Sequence, residues 1–64
     1  MKFIYVTMTN NSTPICVNAD RIECLMALDS GGTRILFPYL SQDGDVCHMN
    51  VEETLANILG QIPS

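Results

Sequence analysis

Sixty-four residues with a net charge of −4 supply one domain, residues 1–64, and one small core. Apolar residues are 47% of the chain and charged residues 16%, which excludes a disordered polymer, and with no Trp the core must be mostly Ile, Leu, Val and Met. So small a frame leaves little room for a pocket and a catalytic set, so a binding or assembly module is expected rather than an enzyme.

Residues 2–9 alternate as a strand, with Ile4, Val6 and Met8 on one face and Phe3, Tyr5 and Thr7 on the other. Asn10-Asn11-Ser12 suits a turn. Residues 13–18 predict a second strand with Ile15 and Val17 on one face; Pro14, lacking a backbone donor, belongs at its start or on an unpaired edge. Asn18-Ala19-Asp20 reads as a tight corner whose short polar side chains bond nearby backbone N–H groups.

Residues 21–28 form the most apolar segment. Leu, Met and Ala favour helix, but the turn residues Asp29-Ser30-Gly31-Gly32 that follow favour a strand entering a hairpin. Alternation puts Ile22, Cys24, Met26 and Leu28 on one face, and Leu25 and Ala27 on the other with Arg21 and Glu23. Thr33 to Phe37 returns as a strand ended by Pro38, Tyr39 to Asp45 is a polar loop around Gly44, and Val46 to Met49 is a last short strand. Asn50 then reads as a helix N-cap with Glu53 three residues on. Val51, Leu55, Ile58, Leu59 and Ile62 make an apolar stripe at helical spacing, Gly60 the C-cap and Pro63 the stop. The fold class is α+β: a small antiparallel β-meander of four to five strands with one C-terminal helix.

The cations Lys2, Arg21 and Arg34 are separated, and the whole net charge lies after Arg34. That distribution argues against nucleic acid and against an anionic membrane surface. The N-terminal segment lacks a signal-peptide cleavage site, and no apolar run approaches membrane-spanning length. Three cysteines, Cys16, Cys24 and Cys47, are expected as reduced thiols in a cytoplasmic protein, with Cys24 and Cys47 as small core residues.

No residue set is expected to carry catalysis, a cofactor or a metal. Cys47 and His48 are adjacent on a strand and point to opposite faces, which disfavours both zinc and a Cys–His nucleophile. Asp43-Gly44-Asp45 lacks the distal ligands of a calcium loop, and Gly31-Gly32-Thr33 has neither the Lys nor the helix of a phosphate loop. Glu52 and Glu53 are helix neighbours that do not converge.

The layout resembles the FlbD-like family of small flagellar and swarming-motility proteins. The likeness lies in Val17-Asn18-Ala19-Asp20-Arg21-Ile22-Glu23, similar to the family's corner before its long strand. It continues through Thr33-Arg34-Ile35 and ends at Val51-Glu52-Glu53-Thr54-Leu55, similar to the start of the family's C-terminal helix. The chain departs from that family in a longer loop at Tyr39–Asp45 and in its few lysines. The resemblance implies a small accessory of flagellar motility or its regulation. The alternative is a small regulator encoded by a phage or mobile element that occludes a host protein, with the acidic residues Asp43, Asp45, Glu52 and Glu53 as the contact.

One short helix covers one face of a sheet, whereas the first and third strands are apolar on both. Phe3, Tyr5, Leu25 and Ala27 are therefore the expected interface, and a homo-oligomer, most simply a dimer, the expected state.

Overall fold

The computed structural model describes residues 2–62, which hold five strands and one α-helix. Strand β1 (Phe3–Thr7) pairs antiparallel with β2 (Pro14–Asn18), placing Ile4 opposite Val17 and Tyr5 opposite Cys16. Met8 N–H to Thr13 C=O, at 2.9 Å, closes the hairpin. Within its turn Ser12 takes a φ of 56° and Asn11 Oδ1 accepts from the Thr13 N–H at 3.1 Å. The corner after β2 is a 3-10 turn, Ala19–Arg21, capped by Asn18 Oδ1 accepting from the Asp20 N–H at 3.0 Å.

Strands β3 (Cys24–Ala27), β4 (Thr33–Leu40) and β5 (Val46–Val51) form a second antiparallel sheet in the order β3-β4-β5. Between β3 and β4, Gly31 takes a φ of 99° in the turn. Gly32 has a different reason to be glycine: a Cβ there would collide with the Val51 carbonyl oxygen. The two sheets join where the end of β1 meets the end of β5. Met8 bridges Val51, Thr9 N–H donates to Asn50 C=O at 3.0 Å, and Glu52 N–H donates to Thr7 C=O at 2.9 Å. This is the small α+β meander expected, split into two sheets.

Helix α1 (Leu55–Gln61) packs against β1 and β3 and drives Ile58 into the space the sheets enclose. Ile58, Ile4, Val6, Val17, Ile35 and Val51 make the core. Fully burying an isoleucine contributes about 2–3 kcal/mol, so these six positions dominate what holds so small a chain together. Thr33 is the buried polar member; its hydroxyl donates to the Glu53 C=O at 2.9 Å and ties β4 to the approach to the helix.

The structure corrects several expectations. Strand β4 does not end at Pro38 but runs to Leu40, because a register shift between Leu36 and Leu40 takes Pro38 out of the regular ladder, where its missing donor is tolerated. The loop expected from Tyr39 therefore shrinks to a turn in which Ser41 N–H donates to Asp45 C=O at 2.7 Å. Asn50 is not the helix cap. It lies inside β5, where its Oδ1 accepts from Arg34 Nε at 3.0 Å; the cap is Thr54, whose Oγ1 accepts from the Asn57 N–H at 3.1 Å. The pairing of Val51 with Met8 and Thr33 keeps the chain extended past Asn50. Val51 is accordingly a buried strand residue, Gly60 lies within the helix ahead of the C-cap Ile62, and Leu59 points to solvent. The expected stop at Pro63 lies outside the described residues.

Cys24 is exposed and Cys47 only partly buried, so neither is a core residue. On β3 the inward side chain is Leu25, paired with fully buried Ile35 and packed on the core, while Cys24 and Met26 face solvent. The 3-10 turn absorbs Ala19–Arg21 and resets the phase of the strand that follows.

Candidate interaction surface

In an antiparallel pair, backbone groups alternately face the partner strand and the other side. The bonds from Met8 N–H to Thr13 C=O and from Ala19 N–H to Lys2 C=O show that even-numbered residues of β1 bond to β2. Odd-numbered residues therefore present a second edge. Beyond the short contact with β5, side chains occupy that edge at Tyr5 and Thr7. Tyr5 N–H donates to Gln61 Oε1 at 2.7 Å, and Gln61 Nε2 donates back to the Tyr5 C=O at 3.0 Å. Thr7 N–H and its hydroxyl donate to the two carboxylate oxygens of Glu53 at 2.7 and 3.0 Å.

These bonds also set the ionisation of Glu53. Burial raises its pKa, but the Thr7 N–H, its own N–H and the Thr7 hydroxyl outweigh that and hold it below the ordinary value. Gln61 is in turn held by Asn57, whose Oδ1 accepts from Gln61 Nε2 at 2.9 Å.

The outer edge of β2 carries no strand, and the outer face of the hairpin is bare. Phe3 is 46% exposed and Tyr5 70%, with Cys16 exposed opposite Tyr5. An open groove of about 310 Å³ runs beside them, bounded by Tyr5, Pro14, Ile15, Cys16 and Glu53. Residues 3–19 include no Asp, Glu, Lys, Arg or His, so this hairpin is a neutral surface on an acidic protein.

The four residues expected to share an interface are divided. Phe3 and Tyr5 lie together on the outer face of β1, Leu25 packs inward, and Ala27 is exposed at the end of β3 in the other sheet. The acidic residues are divided too. Asp43 and Asp45 occupy the β4–β5 turn, whereas Glu52 and Glu53 follow the far end of β5, a strand about 20 Å long. Glu52 stays exposed, with the Ser12 hydroxyl donating to it at 3.4 Å; Glu53 is committed to Thr7.

A second exposed apolar group sits beside the acidic turn. Leu40 and its partner Val46 are 69% and 47% exposed, and Tyr39 stacks on Phe37 with ring centroids 6.4 Å apart while its hydroxyl accepts from Arg21. The alternation Ile35, Phe37, Tyr39 runs through Pro38 and is the sequence signal for the strand that carries this group.

Among the described residues no three His, Cys, Asp or Glu side chains gather to hold a metal, and no helix is long and apolar enough to cross a membrane. No known protein family, curated protein or solved structure matches the chain.

Proposed function

We propose that this is a non-enzymatic, cytoplasmic protein-interaction module that associates with itself as a dimer and serves as an accessory of flagellar motility or its regulation. The observation that carries self-association is the bare neutral face of the β1–β2 hairpin, with Phe3, Tyr5 and Cys16 exposed on a chain whose net charge is −4. Exposed apolar patches rimmed by polar surface mark interfaces, and a neutral patch lets two identical acidic chains meet without opposing like charges. The motility role rests on the resemblance to the FlbD-like family. Light scattering or sedimentation at micromolar concentration tests the association: a dimer is expected, and a clean 7.1 kDa monomer overturns it.

A second reading, occlusion of a host protein by a regulator from a mobile element, is favoured by the β4–β5 turn. There Asp43 and Asp45 flank exposed Leu40 and Val46, which suits a partner with a basic rim around an apolar spot. Capture of the tagged protein from its native host, followed by mass spectrometry, separates the two. Flagellar components support the first, and a host protein released by Asp43→Lys/Asp45→Lys supports the second.

A further inference from the structure

We infer that two copies join through the free edge of β2, antiparallel and centred on Cys16. The inference rests on the self-association proposed above and adds which edge, which register and which contacts. Three observations lead to it.

The first is the state of the edges. Side chains of Glu53 and Gln61 occupy the second edge of β1, and the end of β1 is further engaged by β5. Strand β2 has β1 as its single strand neighbour. Natural edge strands are blunted by charge, proline or cover. Strand β2 has no charge, and its one proline, Pro14, is at its first residue.

The second is the phase of the backbone. Tyr5 and Thr7 turn their N–H groups away from β2, so their opposite numbers Cys16 and Pro14, with Asn18, turn their backbone groups away from β1 and into the free edge. A two-fold axis at Cys16 makes each Cys16 N–H donate to the other Cys16 C=O. Each Asn18 N–H then donates to the Pro14 C=O of the other copy. The donor that Pro14 lacks is a loss at the periphery of this ladder. The sheet becomes β1-β2-β2-β1, with Tyr5 and Cys16 of both copies in one row across its outer face. On the inner face, half-buried Ile15 of each copy comes to lie beside Val17 of the other.

The third is charge. The other free edges are those of β3, bracketed by Glu23 and Asp29, and of β5 short of its contact with Met8 and Thr9, which begins beside Asp43 and Asp45. Pairing β3 with itself about Met26 would set Glu23 against Asp29 of the other copy, and pairing through β5 would bring Asp45 of both copies to the seam, whereas residues 3–19 bring no ionised group to a two-fold axis.

The test uses the whole chain. In Cys24→Ser/Cys47→Ser protein, Cys16 is the one remaining thiol, and a short bis-maleimide should convert the dimer to a covalent pair. Cys16→Ser/Cys47→Ser protein, which keeps Cys24, should not cross-link. Cys16→Lys places two ammonium groups at the axis on a side chain that is already exposed, and should raise the dimer Kd about tenfold. Cys24→Lys, equally exposed on β3, should leave the Kd unchanged. Hydrogen exchange on unmodified protein provides a readout independent of any variant: the Cys16 and Asn18 amides should exchange slowly in the dimer and fast on dilution. A dimer that persists in Cys16→Lys, with fast-exchanging Cys16 and Asn18 amides, overturns this pairing and leaves self-association standing. A monomer at every concentration overturns both.

Discussion

Gln61 uses one carboxamide to satisfy both backbone groups of Tyr5, accepting from its N–H at 2.7 Å and donating to its C=O at 3.0 Å. A residue of a neighbouring antiparallel strand would present the same donor and acceptor. The helix thus closes the open side of β1 without extending the sheet, and with Glu53 two residues along it leaves that side unavailable to another chain.

Replacing Gln61 should therefore have two separable effects. Gln61→Ala removes both bonds to Tyr5 and should cost about 1–2 kcal/mol in urea unfolding. Gln61→Glu keeps an acceptor for the Tyr5 N–H but has no donor for its C=O, and should fall between alanine and wild type at neutral pH. In Gln61→Ala the Tyr5 amide should exchange faster than in wild type while the Val6 amide, directed at β2, stays protected. Equal stability of all three proteins would show that the edge is satisfied equally well by water.

The lowered pKa of Glu53 makes stability depend on pH in a definite direction. The folded state favours the carboxylate, so in the acid range the unfolded chain binds protons more readily than the folded one. The contribution is complete above the ordinary glutamate value of 4.5 and is lost as pH falls through the lowered folded value. Glu53→Gln should cost about 1 kcal/mol at pH 7 and progressively less toward acid, so that the two stability curves converge below pH 4.5. Parallel curves down to acid would remove Glu53 from this role.

Thr54 and Asn50 should separate in kind as well as in size. Thr54→Ala deletes the cap on Asn57 and should cost about 1 kcal/mol, with Thr54→Ser or Thr54→Asp close to wild type. The Asn57 amide should exchange faster in the alanine variant. Asn50→Ala loses the bond from Arg34 and should destabilise the β4–β5 pairing while leaving Asn57 protected. Loss of Asn57 protection in Asn50→Ala would return the cap to Asn50.

The parts of the fold that were legible in the sequence are those decided by neighbours in the chain. The alternation of Ile4 and Val6 with Phe3 and Tyr5, the corner at Asn18, and the glycine turn before Thr33 need only local geometry. Asn50 and Thr54 are both good caps, and Glu53 completes a capping pattern with Asn50; the choice is made by Met8, distant in sequence, which pairs with Val51 and holds the strand open. Leu25 turns inward because the 3-10 turn shifts the phase and Ile35 lies opposite, neither of which shows in its own alternation. Of the candidate surface, Phe3 and Tyr5 were readable from β1 alone. The occupied edge beside them was not, since the groups that occupy it come from the other end of the chain.

That last separation bears on how the protein is made. Thr7 meets Glu53 and Tyr5 meets Gln61 across sequence separations of 46 and 56 residues. During synthesis the β1–β2 hairpin, with no charged residue from 3 to 19, leaves the ribosome before Glu53 and Gln61, and the second edge of β1 stays open until they follow. For that interval the nascent chain offers an unguarded strand pair to any neighbour. Polysomes translating the message would bring many such hairpins close together, and a trigger-type chaperone or slow expression at low temperature should improve the yield of folded protein.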